Sequence, residues 1–311
     1  SGTLSGTLTV SAVSGVASFS DISIDKVGTG YTLDGTASGL TLATSAGFNI
    51  TVGSPSQLVY NVQPSDTTSV TSISPAIKVQ VLDAGGNLVP TATNSITLAI
   101  NNNPGSGTLS GTLTVSAVSG VASFSDISID KVGTGYTLDA TASGLTLATS
   151  AAFNITVGSP TQLVYNVDPT DAQVTASIAP AIKVQVHDAG GNLVPTATDS
   201  ITLAINNNPG SGTLSGTLTV SAVSGVATFS DISIDKVGTG YTLDATASGL
   251  TLATSASFNI NAGPPTQLAF SVEPINTTSA TSISPAIKVQ VLDAGGNLVN
   301  TATDSITLAI N

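Results

Sequence analysis

The sequence contains no cysteine, methionine, tryptophan or arginine. Without cysteine the chain has no disulfide, no thiol nucleophile and no cysteine ligand for zinc. Lysine is therefore the only strongly basic residue type, and 6 basic residues against 18 acidic ones give a net charge of −12 at pH 7. Binding to a phosphate backbone requires clustered positive charge, so this composition argues against nucleic acid as a partner.

Charge, aromatic residues and histidine are also scarce. Charged residues make up 8% of the chain and aromatic residues 4%. Polar residues, glycine and proline interrupt the uncharged stretches every few positions, so we expect no membrane insertion. The single histidine, His187, stands where other copies of the repeat carry Leu82 and Leu292, which favours a tolerated surface change over a catalytic base. No catalytic residue is assigned, and the sequence predicts a protein that is not an enzyme.

Repetition dominates what is present. The ten residues SGTLSGTLTV begin at positions 1, 106 and 211, so the period is 105 residues. Residues 1–34 are identical to residues 106–139, and the third copy differs in this stretch by Thr228 in place of Ser123. A period of this length indicates one folding unit repeated in tandem.

Alternation of apolar and polar residues predicts seven β-strands in each repeat. In residues 53–157 the strands are QLVYNV, AIKVQVLD, SITLAI, GTLSGTLTV, VASFSDISID, GYTLDATA and SAAFNITV. Within the fifth strand, the inward apolar residues have even numbers up to Phe124 and odd numbers from Ile127 onward. This change predicts a bulge or bend near Ser125 and Asp126. No stretch has helical periodicity.

Seven short strands in about a hundred residues predict an all-β fold of tandem immunoglobulin-like, seven-stranded antiparallel β-sandwiches in a rod. Tyr136 precedes the inward Leu138 by two residues. This spacing is typical of a tyrosine corner, in which the tyrosine hydroxyl bonds to backbone a few residues upstream. The alternative is that Tyr136 is an ordinary core aromatic residue.

The stretches AIKVQVLDAGGNLV, GVASFSDISID and GTGYTLDATA resemble the bacterial Ig-like tandem repeats of giant extracellular surface proteins, including invasin-type and large-adhesin stalks. The resemblance covers all 311 residues and consists of turn chemistry and strand alternation. It implies extension modules whose binding or anchoring parts lie elsewhere. It also implies an extracellular or cell-surface location.

Short joints that contain proline separate the repeats, at Gly53-Ser54-Pro55, Gly158-Ser159-Pro160 and Gly263-Pro264-Pro265. The predicted domains are the last four strands of a repeat in residues 1–52, complete repeats in 53–157 and 158–262, and the first three strands of a repeat in 263–311. Joints of this kind restrict the freedom of neighbouring domains.

Neither terminal half closes a sandwich alone, because each leaves an apolar face and open strand edges. Residues 263–311 and residues 1–52 of the next unit together make one domain. Two interpretations follow: the chain is a window from a longer repeat protein, or the three C-terminal strands of one chain are completed by the four N-terminal strands of the next. Both give a head-to-tail filament or rod. The predicted partner is the protein itself, head to tail, and its weakly charged faces favour lateral bundling.

Aspartates near the predicted joints form the best candidate metal site. The residues expected to approach each other are Asp66, Asp130 and Asp188 at one joint, and Asp171, Asp235 and Asp293 at the next. Calcium takes six to eight oxygen ligands, and carboxylates with loop carbonyls would supply them. The alternative is that each aspartate caps its own turn and the chain holds no cofactor.

Asn-x-Ser/Thr sequences, the acceptors of N-linked glycans in secreted proteins, occur in the last strand of two repeats and in the first loop of another. The candidate glycosylation sites are Asn49, Asn154 and Asn276. Asn259 breaks the pattern, because Asn261 stands where the other copies carry threonine.

These features predict a structural extracellular filament or stalk built from head-to-tail Ig-like repeats. The alternative is an adhesin or carbohydrate-binding module of a cell-surface protein, with calcium making its joints rigid. Carbohydrate sites use exposed aromatic side chains, and the aromatic residues here fall mostly at inward positions. The sequence therefore favours the structural role.

Overall fold

The computed structural model describes residues 2–310 and consists of β-strands joined by turns and loops. It divides into two compact units, the first ending at Gly158 and the second beginning at Ser159. Residues 2–310 contain no helix that could span a membrane.

Unit 1 holds a half repeat followed by a complete repeat. The half repeat has six short strands: β1 (Leu4–Ser5), β2 (Ser23–Ile24), β3 (Gly28–Tyr31), β4 (Asp34–Gly35), β5 (Ala43–Thr44) and β6 (Phe48–Ile50). The complete repeat has eleven: β7 (Gln57–Val62), β8 (Thr67–Thr68), β9 (Ile77–Leu82), β10 (Ser95–Asn102), β11 (Leu109–Ser110), β12 (Thr114–Ser116), β13 (Val121–Phe124), β14 (Ser128–Ile129), β15 (Gly133–Thr141), β16 (Ala148–Thr149) and β17 (Phe153–Thr156).

Unit 2 holds a complete repeat followed by a half repeat. The complete repeat has β18 (Gln162–Val167), β19 (Ala172–Gln173), β20 (Ile182–His187), β21 (Ser200–Asn207), β22 (Leu214–Ser215), β23 (Thr219–Ser221), β24 (Val226–Phe229), β25 (Ser233–Ile234), β26 (Gly238–Thr246), β27 (Ala253–Thr254) and β28 (Phe258–Asn261). The half repeat has β29 (Gln267–Val272) and β30 (Lys288–Leu292).

Most strands of each complete repeat form the two sheets of an immunoglobulin-like β-sandwich, which confirms the predicted all-β fold. The short strands β11 and β14, and likewise β22 and β25, pair as separate two-stranded sheets. In unit 1 one sheet has the order β13-β9-β7 and the other β12-β10-β15-β17-β8. Unit 2 has the same orders, β18-β20-β24 and β19-β28-β26-β21-β23. Two pairings in each complete repeat depart from the antiparallel prediction. β8 joins the second sheet parallel to β17, and β19 joins parallel to β28. A parallel bridge also joins Gln57 to Thr146 and Gln162 to Thr251.

The core lies between the two sheets and is made of the predicted inward residues. Ile77, Val79 and Val81 of β9 are fully buried, while Lys78 between them is exposed. Burial of these alternating apolar side chains is the main favourable contribution to folding, at about 25 cal/mol per Å² of apolar surface. The tight core explains why period-two alternation predicts these strands well.

Two predicted strands are interrupted, and the interruptions face each other. The fourth breaks at Gly111, whose φ of +114° lies outside the range that other residues readily adopt. The fifth breaks at the predicted bend, where both carboxylate oxygens of Asp126 accept the Thr112 N–H at 3.0 Å. Because the chain reorients there, Phe124 and Ile127 are both buried despite their opposite parity.

The tyrosine corner is confirmed in both complete repeats. The Tyr136 hydroxyl donates to the Lys131 carbonyl at 2.9 Å, and the Tyr241 hydroxyl donates to the Lys236 carbonyl at 3.0 Å. The Tyr136 ring packs against Phe153 with a centroid distance of 6.1 Å. Burial raises the pKa of Tyr136, so its hydroxyl remains a proton donor at neutral pH.

Candidate functional site

The candidate site is the joint in unit 1 between the half repeat and the complete repeat. Its base is the turn after β9, where Asp83 Oδ1 accepts the Asn87 backbone N–H at 2.8 Å and its side-chain Nδ2 at 3.0 Å. Gly86 adopts a φ of +74° in this turn, and its N–H donates to the Asp83 carbonyl at 3.1 Å. The sequence DAGGN thus forms a turn whose shape is set by its own aspartate and asparagine.

The turn also holds the connection between the repeats. Gly53, the first residue of the joint, donates its N–H to Asp83 Oδ2 at 2.9 Å. Gln57 Nε2 donates to the Asp83 carbonyl at 3.0 Å. Burial alone would raise the pKa of Asp83, but the N–H donors of Asn87, Gly53 and Gly85 outweigh it and hold the pKa below its usual value. Asp83 is therefore a charged acceptor at neutral pH.

The preceding half repeat docks on this turn through three hydrogen bonds. Lys26 Nζ donates to the Gly85 carbonyl at 2.7 Å, and the Val27 N–H donates to Asn87 Oδ1 at 3.2 Å. Asn87 Nδ2 donates to the Asp25 carbonyl at 2.8 Å. Asn87 thus bonds to Asp83 in its own turn, and also to Asp25 and Val27, which flank Lys26 in the preceding half repeat.

Gly85 permits this close approach. A Cβ atom built at Gly85 would overlap the Asp25 carbonyl oxygen, so any larger residue would push the two repeats apart. A cleft of about 620 Å³ beside the contact is lined by Ser23, Ile50 and Ser56, among other residues.

The equivalent turn in unit 2 shows that its shape does not depend on a neighbour. Asp293 Oδ1 accepts the Asn297 backbone N–H at 2.9 Å and the Asn297 Nδ2 at 3.0 Å, and Gly263 donates to Asp293 Oδ2 at 2.9 Å. In the part of unit 2 that the structure describes, Asn297 makes no hydrogen bond to residues 235–237. The turn therefore keeps the same hydrogen bonds at a joint where residues 235–237 do not bond to Asn297.

The aspartates predicted to bind calcium accept hydrogen bonds from backbone and asparagine N–H groups. Asp66 accepts the Asn154 N–H at 2.7 Å, and Asp171 accepts the Asn259 N–H at 2.7 Å. Other carboxylate acceptors and their donors are Asp130 with Thr108, Asp235 with Thr213, Asp188 with Asn192, and Asp293 with Asn297. Residues 2–310 contain no group of three or more acidic or histidine side chains placed to hold a metal ion.

The remaining candidates lie in different environments. Asn154 is half-buried, and its amide accepts the Gly135 N–H at 3.0 Å and donates to Asp66 at 3.0 Å. Asn49 and Asn276 are exposed. His187 Nε2 lies 2.9 Å from Gln185 Oε1 on the outer face of β20. A glycan attached through Asn154 Nδ2 would displace its hydrogen bond to Asp66, whereas Asn49 and Asn276 are exposed.

The roles of Lys26 and Asn87 in the joint were not predicted from the sequence. The stretch DAGGN indicates a turn in which Asp83 and Asn87 bond to nearby backbone, but it indicates no partner from the preceding repeat. One signal was present, because lysine follows aspartate in every DKVG stretch, at positions 26, 131 and 236. In a chain with so few basic residues, a lysine that recurs at the same place in each repeat indicates a position where a positive charge or a long hydrogen-bond donor has a role.

No family model matches the chain, and no curated protein matches its sequence. Similar solved structures include the Escherichia coli adhesin FdeC, 18% identical, covering 81% of this chain and 79% of that one, with a TM-score of 0.32. The adhesin InvE of Yersinia pseudotuberculosis is 15% identical, covering 66% of this chain and 58% of that one, with a TM-score of 0.26.

A β-glycosidase from Bacteroides vulgatus is 12% identical and covers 67% of this chain, with a TM-score of 0.29. The chain spans 25% of the length of that enzyme and 58% of the length of InvE. At these identities and TM-scores, the likenesses carry no conclusion about the activity or partners of this chain.

Proposed function

We propose that the chain is a structural segment of an extracellular filament or stalk, in which Ig-like repeats follow one another head to tail. The observation that carries this proposal is the joint of unit 1, where Lys26, Val27 and Asn87 connect consecutive repeats. A spacer between a surface and a distant point needs joints that resist bending. Hydrogen bonds on both sides of a short linker that contains proline give that resistance.

The proposed domain organisation is the one predicted from the sequence: half repeats in residues 1–52 and 263–311, and complete repeats in 53–157 and 158–262. The core of the first complete repeat supports it, since its buried residues all fall between Leu58 and Ile155. Each complete repeat then needs no contribution from its neighbours to close its sandwich. Repeats of this kind can be added in series without changing the fold.

The proposal includes no catalysis, metal or cofactor. His187, the single histidine, lies with its Nε2 2.9 Å from Gln185 Oε1, and we assign it no catalytic role. Burial raises the pKa of Tyr60, which shows the strongest upward pKa shift in unit 1. The Tyr60 hydroxyl donates a hydrogen bond to the Leu138 carbonyl at 3.0 Å. That hydroxyl contributes a hydrogen bond to the folded structure.

Immunogold electron microscopy on the source cells tests the proposal. An antibody raised against the 311-residue chain should label fibres at the cell surface along their length. Labelling confined to fibre tips would favour the adhesin alternative, and labelling of the cell interior would contradict both. A glycan array probed with the chain should give no binding, whereas specific hits would support a carbohydrate-binding module.

A further inference from the structure

The chain segments that enter and leave each complete repeat lie side by side and run in the same direction. In unit 1, β8 pairs parallel with β17, and Thr67 lies opposite Ile155. A parallel bridge also joins Gln57, at the start of β7, to Thr146. Unit 2 has the same arrangement, because β19 pairs parallel with β28 and β18 begins with an equivalent bridge. The beginning of each complete repeat is therefore bonded directly to its end.

Side-chain and backbone hydrogen bonds reinforce this contact in unit 1. Asp66 Oδ1 accepts the backbone N–H of Asn154 at 2.7 Å, and Asp66 Oδ2 accepts the side-chain Nδ2 of the same asparagine at 3.0 Å. Beside them, the Ser69 N–H donates to the Thr156 carbonyl at 2.8 Å. Ser69 is 5% exposed, so water competes little for its bond to the last strand.

Unit 2 repeats the contact with a different sequence. Asp171 accepts the Asn259 backbone N–H at 2.7 Å and its Nδ2 at 3.1 Å. The Val174 N–H donates to the Asn261 carbonyl at 2.9 Å. The two repeats thus share the aspartate–asparagine pair and the backbone bond, although the side chains around them differ. We call this contact the terminal clamp; it joins residues 66–69 to 154–156 in unit 1, and 171–174 to 259–261 in unit 2.

The parallel arrangement determines how the terminal clamp responds to a pulling force. In a stalk, the force reaches a repeat through its two chain ends. Because the entering and leaving segments run parallel, the force pulls them in opposite directions along their length, and their hydrogen bonds resist this sliding together. Two antiparallel strands pulled apart from the same end would instead lose their bonds one at a time.

We infer that the terminal clamp bears the force when the chain is pulled end to end, and that its opening limits the mechanical unfolding of each complete repeat. This inference deepens the proposed stalk function and rests on it. The residues of the clamp lie inside the complete repeats, where both strands of the contact belong to the same repeat. Each repeat would therefore resist force by itself.

Bonds on a second side of the entering segment support this role. The Val70 N–H donates to the Ile129 carbonyl at 2.9 Å, and the Ile73 N–H donates to the Ile127 carbonyl at 2.7 Å. In unit 2 the Thr175 N–H donates to the Ile234 carbonyl at 2.9 Å. The entering segment is thus bonded to two neighbours, and it cannot swing away from β17 without breaking these bonds as well.

The direction of pulling tests the inference on the whole folded chain. Because the chain has no cysteine, handles for single-molecule pulling can be attached at chosen thiols. Ser54→Cys and Ser159→Cys place them at the two ends of the first complete repeat, whereas Val118→Cys and Ser143→Cys place them on two exposed turns inside it. At one constant force, we expect the repeat pulled by its ends to stay folded at least about tenfold longer, the effect of one further hydrogen bond under load.

A substitution in the clamp tests which bonds bear the force. With the handles at the repeat ends, Asp66→Ala removes the acceptor of both N–H groups of Asn154. We expect the lifetime at constant force to fall about 30-fold, the effect of two net hydrogen bonds. The matched control, Asp126→Ala, also removes the acceptor of two donors, both on Thr112, but between interior segments. It should lower the stability to denaturant and leave the lifetime under force unchanged.

Equal lifetimes in the two pulling directions would overturn the inference. An unchanged lifetime for Asp66→Ala would do so as well, and so would equal shortening by Asp66→Ala and Asp126→Ala. If Asp66→Ala does not fold, the comparison of directions decides alone. Fibres labelled on cells, with lifetimes that do not depend on direction, would retain the proposed function and reject the clamp. Lifetimes that depend on direction, without labelled fibres, would do the reverse.

Discussion

Tyrosine and aspartate side chains determine the local shape of each repeat at the residue scale. The Tyr136 hydroxyl binds the backbone five residues upstream, and the Asp126 carboxylate binds Thr112 across two strand breaks. The tyrosine corner could be predicted because it has a fixed spacing from an inward leucine. The Asp126 contact could not, because its partner lies 14 residues away and alternation carries no information about that distance.

Removal of the corner hydroxyl should destabilise both complete repeats. The double variant Tyr136→Phe and Tyr241→Phe keeps the rings but leaves the Lys131 and Lys236 carbonyls without this donor. We expect a loss of about 1 kcal/mol in the free energy of unfolding per repeat, measured by chemical denaturation. Tyr31→Phe, in a half repeat where water reaches the ring, should cost less and serves as the control.

Acid should destabilise the chain below about pH 4. The backbone and hydroxyl of Thr112 hold the pKa of Asp126 below its usual value, and Thr217 does the same for Asp231. With a lowered pKa in the folded state, the unfolded state binds more protons as the pH falls, so this stabilisation is present above the unfolded pKa of about 3.9 and is lost below it.

Melting temperatures recorded between neutral pH and about pH 2.5 measure this effect. The variant Asp126→Asn and Asp231→Asn should start from a lower melting temperature and show a shallower decline in acid. An unchanged melting temperature of the parent chain down to pH 3 would contradict the assignment. So would an identical acid profile for parent and variant.

At the element scale, the strands that alternate regularly were predictable, and those that break were predictable only in part. β9 and β15 follow their patterns because each is central in a sheet and buries every second side chain. The parallel edge strand β8 has only two residues, too few to show alternation. The contact at the joint was not predicted because it connects Asn87 to Val27, 60 residues earlier in the chain. Strand alternation carries no information about how two domains meet.

Weakening the joint should expose the chain to trypsin at one bond. Trypsin cuts after lysine, and the Lys26–Val27 bond lies between two residues that bind Gly85 and Asn87. Asn87→Ala removes the acceptor for Val27 and the donor to Asp25. Because each net hydrogen bond is worth about 1 kcal/mol, we expect cleavage after Lys26 to become at least about tenfold faster.

Mass spectrometry of the released fragment, residues 1–26, gives the rate of this cleavage. The matched control is Asn297→Ala, which disrupts the equivalent turn of unit 2. In the described part of that unit, residues 235–237 make no hydrogen bond to Asn297. The control should leave cleavage after Lys26 unchanged. Equal cleavage of the parent chain and the Asn87→Ala variant would show that the joint does not restrain Lys26.

At the scale of the whole molecule, calcium should have little effect on the stability of the chain. The six candidate aspartates accept hydrogen bonds from N–H groups, and residues 2–310 contain no group of three acidic or histidine side chains placed to hold an ion. We therefore expect millimolar calcium, followed by chelation, to leave the melting temperature unchanged. A reversible rise with calcium, absent with magnesium, would instead establish the ion as a component of the joints.

The near identity of the repeats has a consequence for a material made of them. A first half and a second half recognise each other through a face that is almost the same in every copy, so each half fits many equivalent partners. In the proposed filament, a sandwich opened by tension would be closed again by the nearest matching half. Such a fibre would repair a rupture by pairing with strands of a neighbouring repeat, but the halves that were paired before the rupture would no longer be paired with each other.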